Sequence, residues 1–112
     1  MGADYFLAFY GIKLSIDSDD EAEQESCALG TDARCVRAKA AGLQTHTGRM
    51  TEGEDYFLYI GRKLATLGLE AESHAVLPIA SIVAIAHDTA ERLKHAGFTQ
   101  EPALHLQLEA QY

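Results

Sequence analysis

Only two cysteines, Cys27 and Cys35, occur in the 112 residues, too few for a disulfide framework to hold the chain together. Their spacing matches no zinc or redox motif, and both are expected to be small, semi-buried, reduced thiols. Long apolar runs are also missing. The longest, Ala75–Ala86, contains Pro78 and Ser81 and falls short of the roughly 20 residues that span a bilayer. It is expected to be a buried helix. No basic n-region opens the chain, because Asp4 stands there, and Tyr5–Tyr10 is too short for the apolar core of a signal. The expectation is a cytoplasmic protein without membrane contact. Phosphate-binding glycine loops, nucleophile elbows and metalloprotease motifs are absent as well. No catalytic residue, cofactor or metal site is therefore expected.

Basic residues are scarce in one place in particular. The chain carries 17 acids and nine bases, for a formal charge of −8. Asp17, Asp19, Asp20, Glu21, Glu23 and Glu25 supply six of those acids with no base among them. The remainder holds 11 acids against nine bases, a net of only −2. The acidity is thus a property of one segment, and it argues against direct binding to nucleic acid or anionic membrane. The segment resembles a calcium loop only in its first positions. Asp17, Asp19 and Glu21 fit positions 1, 3 and 5, but Ala22 replaces the glycine and Ala28 the closing glutamate.

What the sequence does have is an internal repeat. Asp4-Tyr5-Phe6-Leu7 recurs as Asp55-Tyr56-Phe57-Leu58, and Gly11-Ile12-Lys13-Leu14 as Gly61-Arg62-Lys63-Leu64. Arg37–Leu43 is echoed, in the same order along the chain, by Arg92–Phe98. Each unit, about 4–48 and 55–112, opens with a strand rich in aromatic and branched residues, Tyr5–Ile16 and Tyr56–Leu64. Each then has a helix that ends in Ala-Gly followed by Leu or Phe. Gly42 and Gly97 can take the left-handed conformation that stops a helix, with Leu43 or Phe98 folding back on the last turn. The first helix is expected over about 32–41 with Thr31 as N-cap, the second over about 78–96 with Pro78 in its first turn. Each unit closes with a strand. In the second, Leu104, Leu106, Leu108 and Ala110 alternate with His105, Gln107, Glu109 and Gln111. In the first, Leu43, Thr45 and Thr47 alternate with polar residues and Gly48, and Gly48–Asp55 reads as a hairpin loop.

The order β-α-β-β-α-β in one domain, residues 1–112, implies an α+β fold of ferredoxin-like type. This is a two-layer sandwich: a four-stranded antiparallel sheet with two helices on one face. The two Asp-Tyr-Phe-Leu strands are its expected central pair, and the more polar strands its edges. Two segments stay open: 17–30, an acidic loop or a short helix with Gly30 as stop, and 67–77.

Helices cover only one face of such a sheet, so aromatic residues on the other face are expected to form an interaction patch. Tyr5, Leu7 and Phe9 from the first strand, Tyr56 and Tyr59 from the third and His105 from the last are its candidates. With Asp17, Asp19, Asp20, Glu21, Glu23 and Glu25 they form the expected interaction surface. His87, Glu91 and His95 share one helix face but read as a solvated flank.

The function expected is a small acidic protein-interaction module without enzymatic activity, a homodimer or the binder of another, basic protein. One variant is an inhibitor whose carboxylates mimic nucleic-acid phosphates. The alternative is a cofactor-independent enzyme or ligand sensor. In size and element order the expected fold resembles the dimeric α/β-barrel families, whose subunits pack sheet to sheet around a small-molecule pocket. RNA-recognition motifs share the element order too, but the third strand here lacks the basic, glycine-containing start of their signature.

Overall fold

The computed structural model describes residues 5–16, 19–49, 56–68 and 73–109. Runs of branched and aromatic residues form two long strands, β1 (Tyr5–Ile16) and β3 (Tyr56–Gly68), the latter reaching four residues beyond the expected end. Two shorter strands, β2 (Gln44–Arg49) and β4 (Ala103–Glu109), complete an antiparallel sheet of order β2-β3-β1-β4. The strands opened by the Tyr-Phe-Leu motif are the central pair, and the more polar strands lie outside them. Gly11 stands opposite Gly61 in the middle of the β1–β3 register, flanked by Ile12 opposite Ile60. The register shifts once, between Ala8 and Phe9.

The helix count differs from the expected order. Two helices, α1 (Glu21–Leu29) and α2 (Ala33–Ala40), lie between β1 and β2, and α3 (Ile79–His95) precedes β4. The order is therefore β-α-α-β-β-α-β. Local chemistry explains the extra helix. The Asp20 carboxylate accepts the Glu23 amide, Glu21 and Glu23 sit in the positive first turn, and Gly30 ends the helix at φ 76°. Asp32, rather than Thr31, then caps α2 by accepting the Arg34 amide at 2.9 Å. A helix stop and a new N-cap two residues apart leave no room for one continuous helix.

The stops at the ends of α2 and α3 follow the expected geometry. Gly42 and Gly97 take φ 78° and 88°. The Leu43 amide reaches back to the Ala38 carbonyl and the Phe98 amide to that of Leu93. The Arg37 guanidinium lies 4.3 Å from the centre of the Phe98 ring, which ties the two stops together.

All three helices pack on one face of the sheet. Their shared core contains Cys27 from α1, Cys35 and Ala38 from α2, Leu93 from α3, and Ile12, Ile16, Leu58 and Ile60 from the central strands. Tyr56 packs against this core. The first half of α3 departs from expectation. The run read as a buried helix is largely exposed: Ile79 is 74% and Val83 60% accessible, and only Thr89 and Leu93, in the second half, are buried. Among the described residues, no helix is long and apolar enough to cross a membrane. Residues 50–55 of the expected hairpin loop, Ser18, and Ala110 and Gln111 lie outside the described residues, as do parts of the two open segments.

Candidate functional site

Alternation along β1 and β3 decides which side chains meet on the face away from the helices. Odd-numbered positions of β1 and of the first half of β3 point there, so Leu7, Phe9, Phe57 and Tyr59 form a second core cluster. Tyr56, one residue out of phase, is on the helix face, so it cannot join Tyr59 in one patch. The ring of Tyr59 organises the cluster. Phe9 stacks on it at 5.2 Å, Phe57 tilts against it at 4.8 Å, and His105 approaches from β4 at 5.0 Å. His46, from the opposite edge, stacks on the same ring at 6.4 Å. The two edge-strand histidines thus flank one tyrosine.

These aromatics are not an open patch. Leu7 and Phe9 have no accessible surface, and Tyr59 retains 2%. The Tyr59 hydroxyl donates to Gln107 Oε1 across the intervening strand, and burial raises the phenol's pKa. A phenol so held is a poor general base. Burial, followed by the charge of Lys63, lowers the pKa of His46 and favours its neutral form. His105 Nε2 lies 3.2 Å from the Gly11 carbonyl. The side chain of Tyr5 lies outside the described residues.

Part of the acidic segment serves the local fold. Asp20 caps α1, Glu21 and Glu23 face its N-terminal dipole, and Glu23 pairs with Arg34 at 3.5 Å. Asp19 and Glu25 are exposed, and Asp17 lies outside the described residues. Asp20 and Glu21 are exposed as well.

Cys27, Asp32 and Cys35 bring their ligand atoms within 4.8 Å of one another, a grouping that the sequence spacing did not reveal. The Arg34 guanidinium already fills the role of a cation there. It donates to both Asp32 oxygens, at 2.9 and 3.2 Å, and to Cys27 Sγ at 3.4 Å. The hydrogen bonds from Arg34 hold the Asp32 carboxyl below its usual range, and Asp32 in turn raises the guanidinium. Burial pushes the Cys27 thiol up to about 11 and raises Cys35. Protonated thiols around a satisfied arginine form a structural clasp between α1 and α2 and suit a metal ion poorly.

The exposed apolar surface lies on the helix side. Leu104, Leu106 and Leu108 of β4 point toward the helical layer but remain 48%, 61% and 51% accessible. Val76, Leu77, Ile79 and Val83, at and before the start of α3, are also exposed. The sequence signal was present: Ala75–Ala86 is apolar on nearly every side, more than one sheet-facing stripe requires. A cavity of about 250 Å³ opens elsewhere on this side, among Ile12, Leu14, Arg34, Arg37, Phe98 and Gln100. Comparison with protein-family models, curated proteins and solved structures finds no match.

Proposed function

We propose that this chain is a protein-interaction module without enzymatic activity, and that its working surface is the apolar side formed by the first half of α3 and the leucines of β4. The observation that carries this reading is the exposure of Ile79 and Val83 in a helix half that has no charged side chain from Ala75 to Ala86. Helix segments apolar on all sides are found where something covers them. The finer architecture belongs to the same reading. Strand order β2-β3-β1-β4 is what two interlocked βαβ halves produce, so we read the domain as a ferredoxin-like sandwich with one added helix in its first half.

The rival reading, a cofactor-independent enzyme or ligand sensor of dimeric α/β-barrel type, needs an open sheet face. It is disfavoured because the aromatics there cover one another and the Tyr59 hydroxyl is spent on Gln107. The nucleic-acid-mimic variant is disfavoured because Asp20 caps α1 and Glu23 pairs with Arg34. The remaining exposed acids leave a role in steering a basic partner.

Affinity capture from the source cell, comparing the original chain with Val83→Asp, tests the proposal. A stoichiometric partner, whether a second copy or a different chain, should be retained by the first and lost from the second, with unchanged far-UV circular dichroism. A set of bound proteins unaffected by the substitution overturns the proposal.

A further inference from the structure

The position of α3 on the sheet determines what shape the apolar surface has. Thr89 and Leu93 define the line along α3 that faces the sheet. At 100° per residue, Arg92 lies about a quarter turn to one side of that line. Its Nη1 donates to the carbonyl of Ala41, at the end of α2, at 3.0 Å. That flank therefore faces α2, which packs over β2 and β3. Ile79 and Val83 lie about a quarter turn the other way, and β4 is at the opposite edge of the sheet from β2. Their flank thus faces the β4 side. A right-handed crossover from β3 through α3 to β4, the usual hand, turns it the same way. The result is a step: the α3 flank is the wall, and Leu104, Leu106 and Leu108 are the floor.

Resting on the interaction-module reading, we infer that the occupant of this step is a second copy of the chain. Related by a two-fold axis, two such steps nest, with the wall of each copy on the floor of the other. Three observations favour this occupant. First, wall and floor are both apolar, so the surface is complementary to itself. Second, the step carries no formal charge, because only His105 is ionisable between Ala103 and Leu108 and its side chain is on the opposite face. A basic partner would gain more from the exposed acids near α1 than from this surface. Third, the area suits a dimer. Together with Val76 and Leu77, the step exposes about four whole aliphatic residues, or on the order of 400 Å² of apolar side-chain surface. A standard interface buries about 800 Å² per partner, of which roughly 60% is apolar. The step therefore supplies most of the apolar core of one ordinary dimer interface.

Sedimentation of the purified full chain from about 1 to 100 μM tests the inference. Dimers are expected, and Val83→Asp and Leu106→Asp should each weaken the dimer about 100-fold or more, since the axis counts each change twice. Both sites are exposed in the single chain, so thermal melts at concentrations where the chain is monomeric should be unchanged. Salt gives an independent readout. Two chains of charge −8 repel, so added salt should tighten an apolar dimer, whereas it loosens contacts between opposite charges. For the geometry, a chain carrying Val83→Cys mixed with one carrying Leu106→Cys should give a disulfide-linked pair under mild oxidation by oxidised glutathione. Each linkage releases two equivalents of glutathione. Strictly monomeric protein overturns the second-copy inference. If affinity capture still retains a different chain that Val83→Asp releases, the interaction-module reading survives that result. A dimer indifferent to both Asp substitutions overturns the step as its interface.

Discussion

Replacing Gly11 or Gly61 with alanine should be the most damaging methyl addition in this sheet. The two glycines face each other across the central strand pair. A Cβ on Gly11 would stand 2.1 Å from the Ile60 carbonyl oxygen, and one on Gly61 the same distance from that of Tyr10. Ordinary contact needs more than 3 Å, so the strands must part by about 1 Å, and the obstacle on each side is backbone that cannot swing away. Parting them weakens two or three ladder hydrogen bonds, at about 1 kcal/mol each. It also loosens the core on one face, between Ile12 and Ile60, and the aromatic stack on the other, between Phe9 and Tyr59. Overpacking of this kind costs about 1–3 kcal/mol by itself. The expected total is about 3–5 kcal/mol, a large share of the 5–15 kcal/mol that holds a typical domain. Gly30→Ala is the control. Nothing lies within 4 Å of its added Cβ, and only the left-handed φ of 76° opposes it, for a cost of about 1 kcal/mol. Urea unfolding followed by circular dichroism measures all three variants. If Gly11→Ala and Gly61→Ala lose no more than Gly30→Ala, the close approach of the strands is not what these glycines serve.

Tyr59→Phe keeps the ring stack but removes the donor to Gln107, so it should cost about 1–2 kcal/mol in chemical denaturation; a neutral outcome would mean that the hydroxyl contributes nothing. His46 has a pKa held below its usual value in the folded chain by burial and Lys63, so the unfolded chain binds the extra proton first as pH falls. Stability should therefore drop as pH falls through about 6.5 and level off below the folded pKa, and His46→Gln should flatten that part of the profile; an unchanged slope would assign it to other groups. Cys27, buried and pushed up to about 11, should resist iodoacetamide at pH 8 in the native protein and react on unfolding, as mass spectrometry would detect; rapid native alkylation would refute the buried clasp.

The strands and the two helix stops were legible because each has a local cause. Runs of aromatic and branched residues and the alternating leucines of the last strand need no tertiary information, and neither does an Ala-Gly-Leu or Ala-Gly-Phe stop. Whether the acidic segment before Gly30 is a loop or a helix, and where the next helix is capped, was harder to read. Thr31 and Asp32 are adjacent plausible caps, and the choice depends on Arg34, whose amide and guanidinium both bind the Asp32 carboxylate. The candidate site was legible by residue type but not by face. Tyr56 and Tyr59 both suit an aromatic patch, yet an odd separation places them on opposite sides of β3. Nor does alternation reveal that Phe9, Phe57, Tyr59 and the two histidines are large enough to bury one another without a partner.

This difference between the faces carries the functional argument. On a sheet covered by helices on one side only, the uncovered face is the natural place to seek a partner, and a sequence rich in aromatics there invites that choice. Rings spanning three or four strands can instead close a face from within, since each supplies a large area and a stacking geometry to its neighbours. Leucine and valine cannot do this on an edge strand and an overhanging helix end, because their neighbours on one side are missing. The helical layer here reaches β1 and β3 through α3, while the β4 leucines stay about half exposed. The proposed interaction gives this exposed apolar surface, on a chain of charge −8, a physical reason, since patches of that kind usually mark binding sites. The acids of α1 lie toward the β2 edge, at the opposite side of the sheet from the β4 leucines.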